Sequence, residues 1–482
     1  MSAPTFDYTY PSKREDAGWS DAQTPLLPGA HPAVAEDRRK IRIRRICHFF
    51  FAFTLFVLVI HVLSDTVRIQ TSRALGFDFK AMADPEWSIP EGVSIVDCPA
   101  WEFGEHSDVG TVSFNFALPA AELFALARGP RSHGTIQIRQ SDGETDDVRV
   151  NVEMHSDAHG GFDHAKVCLS KRKDEDDSVG VGIFTDHWWD NHHHRGHNHH
   201  IHFVVELVLP KHNEVLHITK LTTDMPIFTH NVDELADAVS FDSFNLHTTN
   251  AAIHTGSVHT VHGVVRTSNA AIDGVYVADE NIALRTSNGR IAASASAIRA
   301  DIRTSNGHIE GEYSASRELV LLTHNGPINA AVALANDPDG PPTEVDMTTS
   351  NSKIRVNLNL TSTKGSSGSF VVGARSSNAG LALEFTDAPL DAALQLNAHT
   401  SMGSADVRLH QTYEGSFTAS TSHSRVQVQM GDGEDQGRGR KSISVTRHTG
   451  SYVEGIVGWS DLGASRGTAH VSTKMGPVSL WV

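Results

Sequence analysis

The sequence has few cysteines and few basic residues. Cys47, Cys98 and Cys168 are the only cysteines among 482 residues, which excludes a disulfide-dense scaffold or a zinc framework built on many cysteines. Lys and Arg number 40 against 57 Asp and Glu, a net charge of -17, so we expect no nucleic-acid partner. The remaining composition, 39% hydrophobic and 20% charged, is typical of a folded globular protein.

One long apolar run stands out near the N-terminus. Residues Ile46 to Leu63 carry no formal charge, and at about 1.5 Å per residue they nearly span a bilayer core of about 30 Å. A cleaved signal peptide would start closer to the N-terminus, and a core helix would not be apolar on every face. The run is preceded by a basic cluster: Arg38, Arg39, Lys40, Arg42, Arg44 and Arg45.

Basic residues beside a membrane span remain on the cytoplasmic side. We therefore predict a single-pass type II membrane protein of the plasma membrane or an endomembrane. In this prediction residues 1–45 are a disordered cytosolic tail and residues 46–63 are the transmembrane helix. Residues 64–92 form a stalk, and the C-terminal domain is extracellular or lumenal.

A Thr-Ser-Asn-like triplet recurs through the second half of the chain. An aliphatic residue lies three positions after each Asn, as in Ile272, Ile291 and Ile309, and two apolar residues lie six and four positions before it. Since residues two apart face the same side of a strand, each copy predicts two short strands around a bend. The asparagines, 18 to 27 residues apart, are Asn250, Asn269, Asn288, Asn306, Asn325, Asn351 and Asn378.

One such unit cannot bury its apolar side alone, whereas stacked copies share a continuous interior. We therefore predict a parallel β-solenoid over residues 230–482, with the asparagines in an amide hydrogen-bond ladder. Gly289, Gly307 and Gly326 follow Asn, where a bend is expected to need positive φ. A meander of antiparallel hairpins is the alternative. Weaker copies, predicted to follow in chain order, centre on Met402, His423, Thr449 and Met475.

At these residues the sequence resembles the putative adhesin family, the uncharacterised β-solenoid domains called DUF4097. The resemblance rests on the Thr-Ser-Asn-Gly-x-Ile repeat following an apolar anchor, over roughly residues 240–482. The membrane-tethered form resembles uncharacterised fungal members. The family supplies no catalytic residues, so the resemblance implies a β-solenoid with an adhesin-like role.

Residues 93–229 predict a β-rich module, either a sandwich or irregular first turns of the solenoid. Its strand-like runs include Val112 to Leu118 and Phe203 to Leu209, and Pro119 to Arg128 has the composition of one short helix. On the oxidising side of a membrane, Cys98 and Cys168 predict a disulfide, with two buried thiols as the alternative.

A histidine-rich segment interrupts this module. Imidazole binds zinc or copper, and three or four ligands complete a tetrahedral site. The segment predicts a metal-binding loop, although a solvated loop without a physiological metal explains the run as well. The candidate ligands are His187, His192, His193, His194, His197, His199, His200 and His202.

Three further features bear on function. Asn359 begins the sequon Asn-Leu-Thr and is a predicted N-glycosylation site. Arg266, Arg285, Arg303 and Arg375 share one repeat offset, where pairing with carboxylates is favoured over contact with acidic glycans. Asp and Glu show no single offset in adjacent copies, which counts against a polysaccharide-cleaving site of paired carboxylates.

We therefore predict an all-β, non-catalytic, membrane-anchored adhesin-like scaffold that presents its solenoid surface to glycan or protein partners. The first alternative is an extracellular or lumenal metal-binding protein that uses the histidine-rich loop. The second is a carbohydrate-active β-helix enzyme.

Overall fold

The computed structural model describes residues 87–104, 108–157, 159–186, 201–431, 441–459 and 466–482. These residues form 29 strands and one 3-10 segment, η1 (His159–His164), with no α-helix among them. The all-β prediction is confirmed.

The strands fall into three stretches of the chain. The first contains β1 (Val93–Asp97), β2 (Glu102–Phe103), β3 (Val109–Ala117), β4 (Glu122–Arg128), β5 (His133–Gln140), β6 (Asp147–Ser156), β7 (Ala165–Arg172), β8 (Glu175–Thr185) and β9 (Ile201–Leu209). The second contains β10 (Leu216–Asp224), β11 (Ile227–Glu234), β12 (Val239–His247), β13 (Ile253–Arg266), β14 (Ile272–Arg285), β15 (Ile291–Arg303), β16 (Ile309–Leu322), β17 (Ile328–Asn336), β18 (Thr343–Thr349), β19 (Ile354–Ser362), β20 (Ser367–Ser376), β21 (Leu381–Asp387), β22 (Asp391–Thr400) and β23 (Ala405–Arg408). The third contains β24 (Gly415–Thr421), β25 (Val426–Gln429), β26 (Lys441–Thr449), β27 (Tyr452–Trp459), β28 (Gly467–Thr473) and β29 (Val478–Trp481).

The repeat copies stack as parallel strands. Strands β13, β14, β15 and β16 pair in parallel, so that Ile253 is in register with Ile272, Ile272 with Ile291, and Ile291 with Ile309. All four isoleucines are fully buried. The aliphatic residues therefore share one interior, as in a solenoid, and the antiparallel meander is wrong for these copies. We call each stacked copy a rung; beyond β16 each rung consists of two strands, beginning with β17 and β18.

Large and small side chains alternate along one interior column. Tyr276 and Tyr313 are fully buried, and Ala295 lies between them in register. Each tyrosine follows a glycine by two positions, and Gly274 and Gly311 have φ of 131° and 132°, a region that a residue with a Cβ rarely adopts. Glycine thus allows this backbone conformation two positions before each tyrosine, and in the interior the two rings lie on either side of the smaller Ala295.

One interior position holds a histidine. His230 is fully buried, and its column neighbours are Ile136 and Ile253. Its Nδ1–H donates to the Phe228 carbonyl at 2.9 Å, and its Nε2 accepts from the Thr223 hydroxyl at 2.8 Å. Burial, reinforced by nearby His247, lowers the pKa of His230 to about 4, so the ring is neutral at pH 7.

This histidine predicts an acid-dependent loss of stability. The unfolded chain binds a proton at His230 below about pH 6.5, whereas the folded chain resists protonation down to about pH 4. The contribution of His230 to the free energy of unfolding is therefore fully present above pH 6.5. It falls by about 3 kcal/mol as the pH drops to 4.

A His230→Ile variant should lose this dependence. Its unfolding free energy relative to wild type should rise on going from pH 7.5 to pH 4.5 in urea titrations. The control Ile291→Ala removes a fully buried side chain two rungs away from Ile253 and no titratable group, so its deficit should stay constant with pH. A constant His230→Ile difference would contradict the assignment.

The parallel stack continues into the first stretch of the chain. Strands β10 and β11 pair with β12 and β13 on one side and with β4 and β5 on the other. Strands β8 and β9 form a further rung outside β4 and β5, and antiparallel β6 and β7 cover that end. The predicted domain boundary at residue 229 falls inside β11.

The helix predicted from Pro119 to Arg128 is wrong, because Glu122–Arg128 is strand β4. The segment is rich in residues with high helix propensity. However, β4 pairs on both edges, with β8 on one side and β10 on the other. Six consecutive residues of β4 are buried, because neighbouring elements cover both faces of the strand. This burial outweighs the helical propensity of the segment.

The last copies do not stack in chain order. After β22 and β23 the next rung is β28 and β29, and β24 and β25 lie beyond it. The predicted copy at Thr449 is wrong, since residues around it form the antiparallel hairpin of β26 and β27. Val445, expected inside, is 49% exposed.

The membrane prediction is corrected. The described residues contain no helix that is both long and apolar enough to cross a membrane, which is against a single-pass membrane protein and the type II localisation derived from it. The predicted span at 46–63, with the tail before it and most of the stalk, lies outside the described residues.

Candidate binding surface of the stacked rungs

The bend of each rung is held by a buried threonine. Thr304 is 2% exposed, and its hydroxyl donates to the Gly289 carbonyl of the preceding rung at 3.0 Å while accepting the Gly307 N–H at 3.1 Å. Thr286 and Thr323 repeat this arrangement. The threonine of the triplet therefore satisfies backbone groups that the bend removes from the strand ladder.

The glycine after Asn has a different role from the one expected. Gly289, Gly307 and Gly326 do not have positive φ. Instead, a Cβ on Gly307 would lie 1.7 Å from the Gly289 carbonyl oxygen, and one on Gly326 would lie 1.7 Å from that of Gly307. These glycines are required because adjacent bends nearly touch.

The seven ladder asparagines form a continuous chain of side-chain hydrogen bonds. Each Nδ2 donates to the Oδ1 of the previous rung at 2.5 to 2.6 Å, from Asn269 to Asn250 through Asn378 to Asn351. All seven asparagines are exposed to solvent. Beyond Asn378 the same corner holds Met402, then Met475, then His423, and the amide ladder ends.

A shallow trough crosses the outward side of six rungs, β14, β15, β16, β17, β19 and β21. Its volume is about 550 Å³, and five steps of about 4.8 Å make it about 24 Å long. The depression forms because most outward side chains of the middle rungs are small, and larger residues flank both ends. The outward residues are Val275, Val277, Ser294, Ser296, Glu312, Ser314, Ala331, Ala333, Asn357, Asn359 and Thr386.

The two ends of the trough differ in polarity. Val275 and Val277 are 42% and 38% exposed, whereas Asn357 and Asn359 offer amide donors and acceptors at the other end. Beneath the trough, the Tyr276 hydroxyl donates to Thr255 Oγ1 at 3.0 Å, and burial raises the Tyr276 pKa far above its usual value. The tyrosines therefore support the trough from below and stay neutral.

Sequence reasoning missed this trough. Its small residues occupy the positions six and eight after Asn, for example Ser294 and Ser296 after Asn288. Small side chains at two alternate positions in consecutive copies would have been the signal. Ala331 after Asn325 and Asn357 after Asn351 keep the offset of six despite the longer spacing of these copies, and the strand register pairs them.

The arginine strip is only partly continuous. Arg266, Arg285 and Arg303 occupy adjacent rungs, but Leu322 and Thr348 separate them from Arg375. Arg285 Nε donates to Asp301 Oδ2 at 3.1 Å, and Arg303 also pairs with Asp301. For these two arginines the favoured pairing with a carboxylate is present.

Carboxylates share a register position at two places on the stack, although those of the first pair are two rungs apart. Asp273 and Glu310 share one outward column with Ala292 between them, and Glu318 is in register with Glu344 on the neighbouring rung. Glu318 and Glu344 are exposed. An acid and base pair for glycoside hydrolysis needs one carboxyl held protonated, which enclosure usually achieves.

Of the eight candidate metal ligands, only His202 lies within the described residues; the other seven, at 187–200, fall outside them. His202 is half-buried on β9, and burial, with nearby His133 and His155, lowers its pKa. Throughout the described ranges, no three His, Cys, Asp or Glu side chains are grouped to hold a metal.

A buried carboxylate lies at the start of the histidine-rich segment. Asp186 is 1% exposed, and its Oδ2 lies 2.9 Å from His164 Nδ1. Asp186 Oδ1 has no hydrogen-bond partner within the described residues. Such a carboxylate on one imidazole nitrogen is the orientation that metal-binding histidines commonly have.

The two remaining predicted sites, the cysteine pair and the glycosylation sequon, lie within the described residues. Cys98 and Cys168 are joined by a disulfide that closes a separation of 70 residues. Asn359 is exposed on β19 and lines the trough. Its glycosylation stays a prediction.

The fold and surface define an all-β protein with a solenoid-like stack of rungs. Residues 264–431 match the profile of a domain of unknown function, DUF7330, so the DUF4097 resemblance is not supported, nor is a fungal origin. A search of curated proteins found no match.

Among solved structures, a putative cell adhesion protein from Clostridium sporogenes is similar at 6% identity. The match covers 77% of this chain and 99% of that one, with a TM-score of 0.14. A score this low carries no argument about the function of this chain.

Proposed function

We propose that this protein is a non-catalytic binding scaffold that holds an extended, hydroxyl-rich polymer, a glycan, along the trough. The observation that carries the proposal is the open trough across six rungs, in which most outward side chains are small and serine or asparagine lines three of the rungs. Ser294, Ser296 and Ser314 leave room for a chain to lie along the stack. Their hydroxyls and the amides of Asn357 and Asn359 both donate and accept hydrogen bonds, as sugar hydroxyls do.

The negative charge of the trough and of the whole chain restricts the kind of glycan that can bind. Glu312 lines the middle of the trough, and the chain has a net charge of -17. A polyanionic polymer would be repelled, so the preferred ligand is neutral or carries amino groups. The exposed Val275 and Val277 suit the C–H face of a sugar ring.

Filling the trough with a large side chain should strongly weaken glycan binding. In Ser296→Tyr a phenol ring replaces a small exposed side chain, and we expect at least about a tenfold loss of affinity. The measurement is a glycan array with the full-length protein, followed by calorimetry on the best neutral ligand.

The matched control is Ser287→Tyr, at an exposed serine in the neighbouring bend, outside the trough. It should bind as wild type does. Binding that survives Ser296→Tyr, or a protein ligand in place of a glycan, would overturn the proposal.

A second candidate function, metal binding by the histidine-rich segment, is favoured by the Asp186–His164 pair. We propose that Asp186, whose Oδ1 has no partner in the described part of the chain, orients a histidine of the segment that follows it, so that zinc or copper binds there. Zinc titration by calorimetry should give heat with wild type and none when all eight histidines are replaced by alanine. Asp186→Asn should weaken zinc binding about tenfold or more. Equal heats in all three proteins would exclude the metal function.

A further inference from the structure

The C-terminal strands occupy a slot between two rungs that precede them in the chain. On one side β28 and β29 pair with β22 and β23, and on the other side with β24 and β25. All of these pairings are parallel. The strands that follow β23 in the chain therefore skip one rung position, and residues 467–482 occupy it. We call this position the slot.

The fit of this segment to the slot is close on every side. Ala469, Val471, Val478 and Leu480 are buried in the common interior. At the bend, Thr473 Oγ1 donates to the Gly403 carbonyl at 2.9 Å. On the other side, the Thr421 hydroxyl donates to the Gly476 carbonyl at 2.9 Å. The segment thus repeats the threonine contacts of the regular rungs.

Residues 415–459 depend on this segment for their attachment. Strand β24 pairs with β27 and β28, and β25 pairs with β29. Within the described ranges, the strands from 415 to 459 pair in register with one another or with β28 and β29, and not with a strand that precedes residue 409. If the slot were empty, two parallel edges with buried aliphatic residues would be exposed, and such edges recruit further strands.

We infer that the slot accepts residues 467–482 of a second copy of this chain, so that the protein assembles by exchange of its C-terminal strand pair. The copy brings the same side chains in the same register, so every contact described above is retained. Exchange of an identical terminal element is a low-cost route to oligomers. This inference is independent of glycan or metal binding.

Two variants of the full-length protein, each with a single free cysteine, test the exchange. His399 and Ser472 are neighbours across the slot, with His399 Nδ1 and Ser472 Oγ 2.9 Å apart. In a Cys47→Ser background, His399→Cys and Ser472→Cys are unfolded in urea together, refolded at high concentration and treated with a short bismaleimide. The native disulfide is not reduced at any step.

Exchange should give a crosslinked dimer that contains one of each variant, in a yield that rises with protein concentration. Ser287→Cys in place of Ser472→Cys, at an exposed bend away from the slot, should give none. A mixture that stays monomeric, while the double variant crosslinks within one chain, would overturn the inference.

Light scattering on wild type refolded in the same way provides a readout without any substitution. Dimers that increase with refolding concentration are expected. A purely monomeric wild type at every concentration would also overturn the inference.

Discussion

Gly307→Ala should destabilise the protein by about 4 kcal/mol or more, among the largest effects of a single methyl group. The new Cβ would lie 1.7 Å from the Gly289 carbonyl oxygen, about half a normal contact distance. Relief would require two rungs to separate by more than 1 Å, which would stretch the hydrogen bonds of the Thr304 bend. A fall in the urea midpoint and in Tm measures the effect.

The control for this prediction is Gly450→Ala. No atom lies within 4 Å of the position that its new methyl group would take, and its φ is not in the left-handed region, so we expect a change within about 0.5 kcal/mol. If Gly307→Ala were as stable as Gly450→Ala, the close approach of adjacent bends would be refuted.

Removal of the disulfide is the second large effect. Cys98→Ala with Cys168→Ala should lower the free energy of unfolding by about 4 kcal/mol, because a bridge across 70 residues restricts the unfolded chain. Cys168 is also buried against Val93, Phe124 and Phe184, so the loss includes some packing.

Adding reductant should lower the urea midpoint of wild type nearly to that of the double variant. It should leave the urea midpoint of the double variant unchanged. Cys47→Ala, which removes the remaining cysteine, should have no comparable effect. A wild type that is insensitive to reductant would argue against a stabilising bridge.

The regular rungs were predictable because their information is local. The spacing of Ile272, Ile291 and Ile309 matches one rung per copy, and alternation by two residues assigns inside and outside. The asparagine ladder lay in the same pattern, since one bend position repeats in every rung. Strand runs such as Val112 to Leu118 were found for the same reason, and β3 covers nearly the same residues.

The trough was not predictable to the same degree. It depends on the sizes of the outward side chains in successive rungs, and the inward aliphatic pattern that defines the repeat places no constraint on those sizes. The offset from Asn is kept even across the longer copies, as at Ala331 and Asn357. The Asp186–His164 pair was also hidden, because the two residues are 22 positions apart and belong to no repeat. Such pairs are set by how strands meet at the end of the stack.

The sequence by itself determined the period of the rungs, the aliphatic interior and the polar bends, because each depends on residues close together in the chain. Only the tertiary structure decided that Glu122–Arg128 is a strand and that the C-terminal segment lies between two earlier rungs. Both depend on which strand edges remain open once the other rungs have formed, and a parallel edge accepts any strand whose aliphatic residues match its interior. Local pattern specifies that a segment fits a rung, but not which rung it joins.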